Sequence, residues 1–144
     1  MSAVANIVLA DAQATPVNHT FIPLGPDSNG AWWFEDQSQA SPVGYWKISL
    51  QLVRNGPVSA GSTASDRTSR VKVTLHEPVL ETVTNSSTGL TPAPTVAFVP
   101  RCTTEYIMSE RSSLQNRKDL RKMNSLLQSE AQLVAMVENL QNIW

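Results

Sequence analysis

The hydrophobic period changes once along this chain, and the change comes late. Up to about residue 108, apolar residues recur with a period of two, most clearly in "WKISLQLVR" (46–54) and "SRVKVTLHE" (69–77). From Ser112 to Trp144 there is neither Gly nor Pro, and apolar residues recur at three and four. A period of two belongs to strands with one buried face, and a spacing of i, i+3, i+4, i+7 to helices with one apolar stripe. Strands first and helices last is an α+β order, in which the helices cover one face of an antiparallel sheet.

The strands can be placed one by one. "NIVLAD" and "HTFIPLG", separated by the proline-bearing "AQATPVN", predict an N-terminal β-hairpin within residues 1–26. "GPDSNG" then breaks the chain, "AWWFED" forms a short aromatic strand, and "QSQASP" turns into a long strand from about Val43 to Arg54. Residues 55–66 are small and polar, the composition of a flexible loop. The alternation returns with Val71, Val73 and Leu75 on one face of the next strand. Antiparallel pairing across the loop puts Lys47, Ser49 and Gln51 on the same side as Arg70, Lys72 and Thr74. Residues 78–94, with Gly89 and three prolines, form a second long connection, of a length that tends to serve function or assembly. "TVAFVPRCTTEYIM" is a further β-rich run in which Pro100, having no N–H, marks an edge or a bulge. The sheet thus spans residues 31–108 and the helices 112–144 of one 144-residue domain.

Ser112 with Gln115 three residues later has the capping-box spacing and predicts the first helix start. Leu114, Leu120, Met123 and Leu127 fall on one side of that helix, away from Arg117, Lys118, Arg121 and Lys122. Ser129 with Gln132 repeats the spacing and predicts a second helix carrying Leu133, Met136, Val137 and Leu140. Trp144 is a bulky apolar group expected to dock on its own sheet or on another subunit. Two helices are too few to cover both sheet faces, so the face bearing Lys47, Ser49, Gln51, Arg70, Lys72 and Thr74 stays open to solvent or ligand.

Charge and reactive groups narrow the function. With a net charge of -1 and a pI of about 6.1, no bulk field draws the chain to nucleic acid or membrane, and any such binding is local. Residues 1–66 hold two basic and five acidic side chains, whereas the remainder hold nine and seven, so the cations gather in the second half. Cys102, the single cysteine, is expected to pack within the sheet, and with only His19 and His76 beside it no metal cluster or cofactor site is predicted. His76 lies next to Glu77, but no nucleophile, phosphate-cradling loop or nucleophile elbow accompanies them, so no catalytic residue is assigned and the chain is not read as an enzyme. "MSAVANIVLADAQ" lacks a basic leader and no run reaches spanning length, which predicts a soluble, intracellular product without membrane partners. On the residues alone, the face bearing Lys47, Arg70 and Lys72 reads as the solvated sheet face of an ordinary domain. The functions that compete for it are a monomeric or dimeric RNA-binding module that builds no shell and a protein-binding α+β adaptor.

The order of the elements adds to this. An N-terminal hairpin, "YWKISLQLVR", "SRVKVTLHEP", a long Gly/Pro loop, a last strand and "SERSSLQNRKDLRKMNSLL" together resemble the coat proteins of the single-stranded RNA bacteriophages, the levivirus-type shell proteins, over nearly the whole chain. The loop at residues 55–66 is longer than the family's turn, and Pro100 interrupts its last strand. The resemblance implies an N-terminal β-hairpin, a five-stranded antiparallel sheet and two C-terminal helices interlocked with those of a twin subunit. It further implies dimers closing an icosahedral shell, helices outward and sheet toward the RNA genome, assembled in the host bacterial cytoplasm and residing in the virion. In the family the sheet also binds an RNA operator hairpin and represses translation. Lys47, Arg70 and Lys72 would then meet phosphates, Ser49, Gln51 and Thr74 would meet bases or sugar hydroxyls, and Tyr106 is a candidate stacking platform. The loop at 78–94 would meet its copies around the symmetry axes.

Overall fold

The structure, a computed structural model, describes residues 3–64, 67–82 and 92–143. They form two compact units, one from residues 3–55, 69–82 and 92–107 and the other from residues 56–64, 67–68 and 108–143. The strands in chain order are β1 (Ile7–Ala10), β2 (Asn18–Pro26), β3 (Trp32–Asp36), β4 (Trp46–Val53), β5 (Thr68–His76), β6 (Val79–Leu80), β7 (Val96–Phe98) and β8 (Arg101–Ser109).

The first unit is built on a six-stranded sheet in the order β1-β2-β3-β4-β5-β8, with β1 through β5 antiparallel neighbours. Its core lies on one face, where Phe21, Phe34 and Ile48 are 1%, 5% and 5% exposed and Ile7, Trp46, Leu50 and Leu75 pack around them. The register explains why these residues meet. Ile7 lies opposite Phe21, Phe34 opposite Ile48, and Ile48 opposite Leu75, while Phe21 faces Asp36 and Phe34 faces Pro23, so alternation delivers the apolar side chains to one face in two adjacent rows.

The N-terminal hairpin is continuous with this sheet, which therefore has six strands where five were expected. A bulge between Pro23 and Gly25 accommodates the join of β2 and β3. Pro23 has no N–H for the ladder, and Gly25 takes a positive φ of 118° that a side chain would disfavour.

Pro100 does more than mark an edge. It separates the run 95–108 into two strands of different sheets, because β7 pairs with β6 while β8 lies beside β5. Its carbonyl, free of that break, accepts the Glu77 N–H at 3.1 Å. The connection 78–94 thus opens with a short ladder, Val79 opposite Phe98 and Leu80 opposite Val96, while residues 83–91 of it lie outside the described residues. Leu80 packs over Gly44 in the short 3-10 turn Pro42–Gly44, so closely that a Cβ on Gly44 would sit 3.0 Å from its side chain. That turn also takes Val43 out of the strand predicted to begin there. Cys102 is in a strand as expected but exposed, since β8 is the last strand of the sheet on its side.

The second unit contains α1 (Leu114–Leu127) and α2 (Ala131–Asn139). The cap of α1 is Ser113, not Ser112: the Asn116 N–H donates to Ser113 Oγ at 3.1 Å, whereas Ser112 Oγ donates to the Ser109 carbonyl at 2.6 Å. With two serines in a row, spacing alone could not choose between them. Ser129 likewise closes α1 by donating to the Leu126 carbonyl at 2.8 Å, and Glu130 is the cap residue of α2. Leu140 ends α2 in the left-handed conformation. Arg67 ties the foot of the long polar loop to the helix approach, donating to Glu110 Oε2 at 2.8 Å and to the Gly56 carbonyl at 2.6 Å. Trp144 lies outside the described residues.

Candidate nucleic-acid interface

The face opposite the core is polar, and its composition follows from the same alternation. Lys47 lies between Glu35 and His76, Ser49 between Trp33 and Thr74, Gln51 opposite Lys72, and Val53 opposite Arg70. All six residues singled out from the sequence therefore share one face. Four of them, Ser49, Gln51, Lys72 and Thr74, also line a shallow depression of about 310 Å³. Lys47 and Arg70 are on the same face but not in its lining.

The cations differ in how they are held. Lys47 Nζ sits 3.8 Å from Glu35, and Arg70 Nη1 3.8 Å from Glu105. Both cations are themselves exposed and both contacts are long, and surface pairs of this kind contribute about 0–1 kcal/mol, so either cation can turn to another anion at small cost. Lys72 and Arg101 form no ion pair among the described residues, and both line the depression. Gln51 Nε2 donates to the Asn29 carbonyl at 2.9 Å, which links the turn after β2 to this surface.

Sequence reasoning missed Trp33, Arg101 and Asp27 as parts of this surface, whereas the alternation that puts Arg70, Lys72 and Thr74 on it also carries His76 there. Trp33 and Phe34 are adjacent and must point to opposite faces, but only the pairing of Trp33 with Ser49 decides which one joins the polar side. The Trp33 indole N–H donates to Asp27 Oδ2 at 3.1 Å, and this bond, followed by that from the Ala31 N–H, holds the Asp27 carboxyl below the usual carboxylate range. Burial, and then the nearby Arg101 charge, lowers the His76 pKa, which favours a neutral imidazole. Tyr106 belongs to the other face. Arg101 and Thr103 line the depression and Glu105 pairs with Arg70, so the odd residues of β8 face this side and Tyr106 alternates away.

On the core face, side chains from three other segments converge on His19 in β2. Its Nδ1 is 2.6 Å from Asp36 Oδ2, its Nε2 is 3.5 Å from Asp11 Oδ2, and its ring stacks on Trp46 with centroids 4.5 Å apart. The hydrogen bond with Asp36 raises the His19 pKa above its ordinary 6.5 despite burial. Burial alone would raise Asp36, but the bonds from His19 and Ser38 outweigh it and the net shift is downward. The signs fix a pH window. The His19 contribution is complete below its unfolded pKa and disappears as pH rises through its raised folded value. The Asp36 contribution is present above its unfolded pKa and disappears on acidification through its lowered value. Urea midpoints of the wild type should therefore fall from neutral to mildly alkaline pH, and His19→Gln should flatten that slope. A His19→Gln profile parallel to the wild type would show that another group carries it.

A family model described as levivirus coat protein matches residues 2–144. Among solved structures, the virus-like particle of bacteriophage ESE058 is 49% identical with a TM-score of 0.91, over 99% of this chain and 100% of that one. The virus-like particle of bacteriophage NT-214 is 28% identical with a TM-score of 0.84, over 99% and 100% of the two chains. The bacteriophage GA protein capsid, 15% identical with a TM-score of 0.64 over 93% of each chain, shares the fold. No curated protein matches.

Proposed function

The chain belongs to the levivirus coat protein family, and on that premise we propose that it builds the shell of a single-stranded RNA phage. Copies of this single coat-protein domain pair into interlocked dimers, and dimers close an icosahedral particle around RNA, with the polar sheet face turned inward. Assembly takes place in the bacterial host cytoplasm and the product is the virion. The observation that carries this reading is the end-to-end likeness, at 49% identity, to the subunit of a virus-like particle.

Two physical features support it. Neither helix has a buried residue among those described, and Met123, Val137 and Leu140 are 68%, 68% and 88% exposed in a single copy. Apolar stripes of this kind call for a cover, and a second copy of the same helices supplies one. The inward face offers Lys47, Arg70 and Lys72 to phosphates and Ser49, Gln51 and Thr74 to bases or sugar hydroxyls, the division of labour that RNA recognition needs. The same face suits an operator hairpin, and through it translational repression.

Expression followed by electron microscopy tests the shell: uniform spherical particles containing RNA are expected, and small oligomers alone would refute it. The RNA contacts are tested separately. Replacing Lys47 and Lys72 together by Ala should reduce the slope of log affinity against log salt by about 0.7 per lost phosphate contact on single strands. An unchanged slope would remove both lysines from the interface.

A further inference from the structure

We infer that the Trp33 indole, with the His76 imidazole beside it, is a stacking platform for an unpaired base of single-stranded RNA; this rests on the RNA-facing reading of the sheet given above. Trp33 is half-buried on the polar face, so it is not a member of the Phe21, Phe34 and Ile48 core. Something other than core packing must account for the largest side chain type standing there. Its ring is held in advance: the indole N–H donates to Asp27 Oδ2, while Asp27 Oδ1 accepts the Asn29 and Ala31 N–H groups at 2.8 and 2.9 Å. A ring fixed before binding loses little rotamer freedom when a base stacks on it.

The neighbours suit a base. The His76 ring lies 6.2 Å from Trp33 at a tilt of 37°, a second aromatic wall in the same depression. Ser49 and the buried Thr74, paired across β4 and β5 beside Trp33, line the same depression and bring hydroxyl groups to it. Lys72 and Arg101 supply positive charge for the flanking phosphates. Asp27 repels phosphate at the Trp33 end, so a strand entering the depression places its base there and its backbone toward the cations. Stacking on aromatic faces tolerates any base, which fits a surface that must hold a whole genome.

The test uses the full-length chain and two labelled probes, a single-stranded adenosine oligoribonucleotide and an abasic oligomer with the same number of phosphates. Trp33→Leu should weaken binding of the base-bearing oligomer by roughly fivefold to a hundredfold while leaving the abasic one within about twofold of wild type. Lys72→Ala should weaken both. A Trp33→Leu chain that binds the adenosine oligomer like wild type, or loses the two probes equally, would overturn the platform while leaving the RNA-facing reading intact. Wild-type chain that binds neither probe at low salt would overturn that reading, and the platform with it. Trp33→Phe keeps a ring and guards against a folding defect: it should retain most of the affinity yet lose the RNA-dependent quenching of tryptophan fluorescence. Quenching kept in full by Trp33→Phe would also overturn the platform.

Discussion

Replacing Phe21 by Ala lowers the unfolding free energy by about 3–5 kcal/mol, read as a shift of the urea midpoint at fixed protein concentration. Phe21 is 1% exposed and sits in a core whose other buried members are Phe34 and Ile48. A cluster this small, spread over a single row of strands, has few neighbours able to relax into the space left behind, so the cavity adds to the lost transfer energy. Ile22 provides the internal control. It is adjacent in sequence but points to the opposite face and is 41% exposed. Ile22→Ala should cost less than about 1 kcal/mol. Equal effects at the two positions would contradict the face assignment on which the interface also depends.

Val137→Asp is expected to abolish particles altogether. In one copy Val137 is 68% exposed, and a carboxylate at a solvent-facing helix position changes stability by only about 0.5 kcal/mol or less. Under a covering second copy the same carboxylate is buried without a partner, at a cost of several kcal/mol, and two-fold symmetry imposes that cost twice. The variant should therefore sediment as an unpaired or aggregated chain with no shells in electron micrographs. Lys118→Ala, on the polar side of α1, should assemble normally. Particles formed in full by Val137→Asp would take α2 out of the subunit interface.

The residues of the proposed interface were legible as one face where a single strand's alternation sufficed. Lys47, Ser49 and Gln51 share a face because they are two apart, and Arg70, Lys72 and Thr74 share one for the same reason. That the two rows belong to the same surface followed from a single antiparallel pairing, which the register bears out with Ser49 opposite Thr74 and Gln51 opposite Lys72. Trp33 and Arg101 were not legible. Each sits on a strand whose face is set by pairing with a neighbour, and the sequence signals an edge or a bulge at Pro100 without showing that the run holding Arg101 is divided there between two sheets. His19 is a sharper case, since Asp11, Asp36 and Trp46 come from three other places in the chain and no spacing connects them.

Sequence alone determined the element types, their order and the polar or apolar character of each strand face, because periodicity and turn chemistry act over a few neighbouring residues. Tertiary structure decided the join of the hairpin to the sheet, the pinning of Trp33 by Asp27, and the meeting of His19 with two carboxylates. Trp33 meets Asp27 only because the turn between them folds back on β3. The meeting of His19 with Asp36 and Trp46 depends on register between strands, where a shift of one residue sends a strand's side chains to the other face.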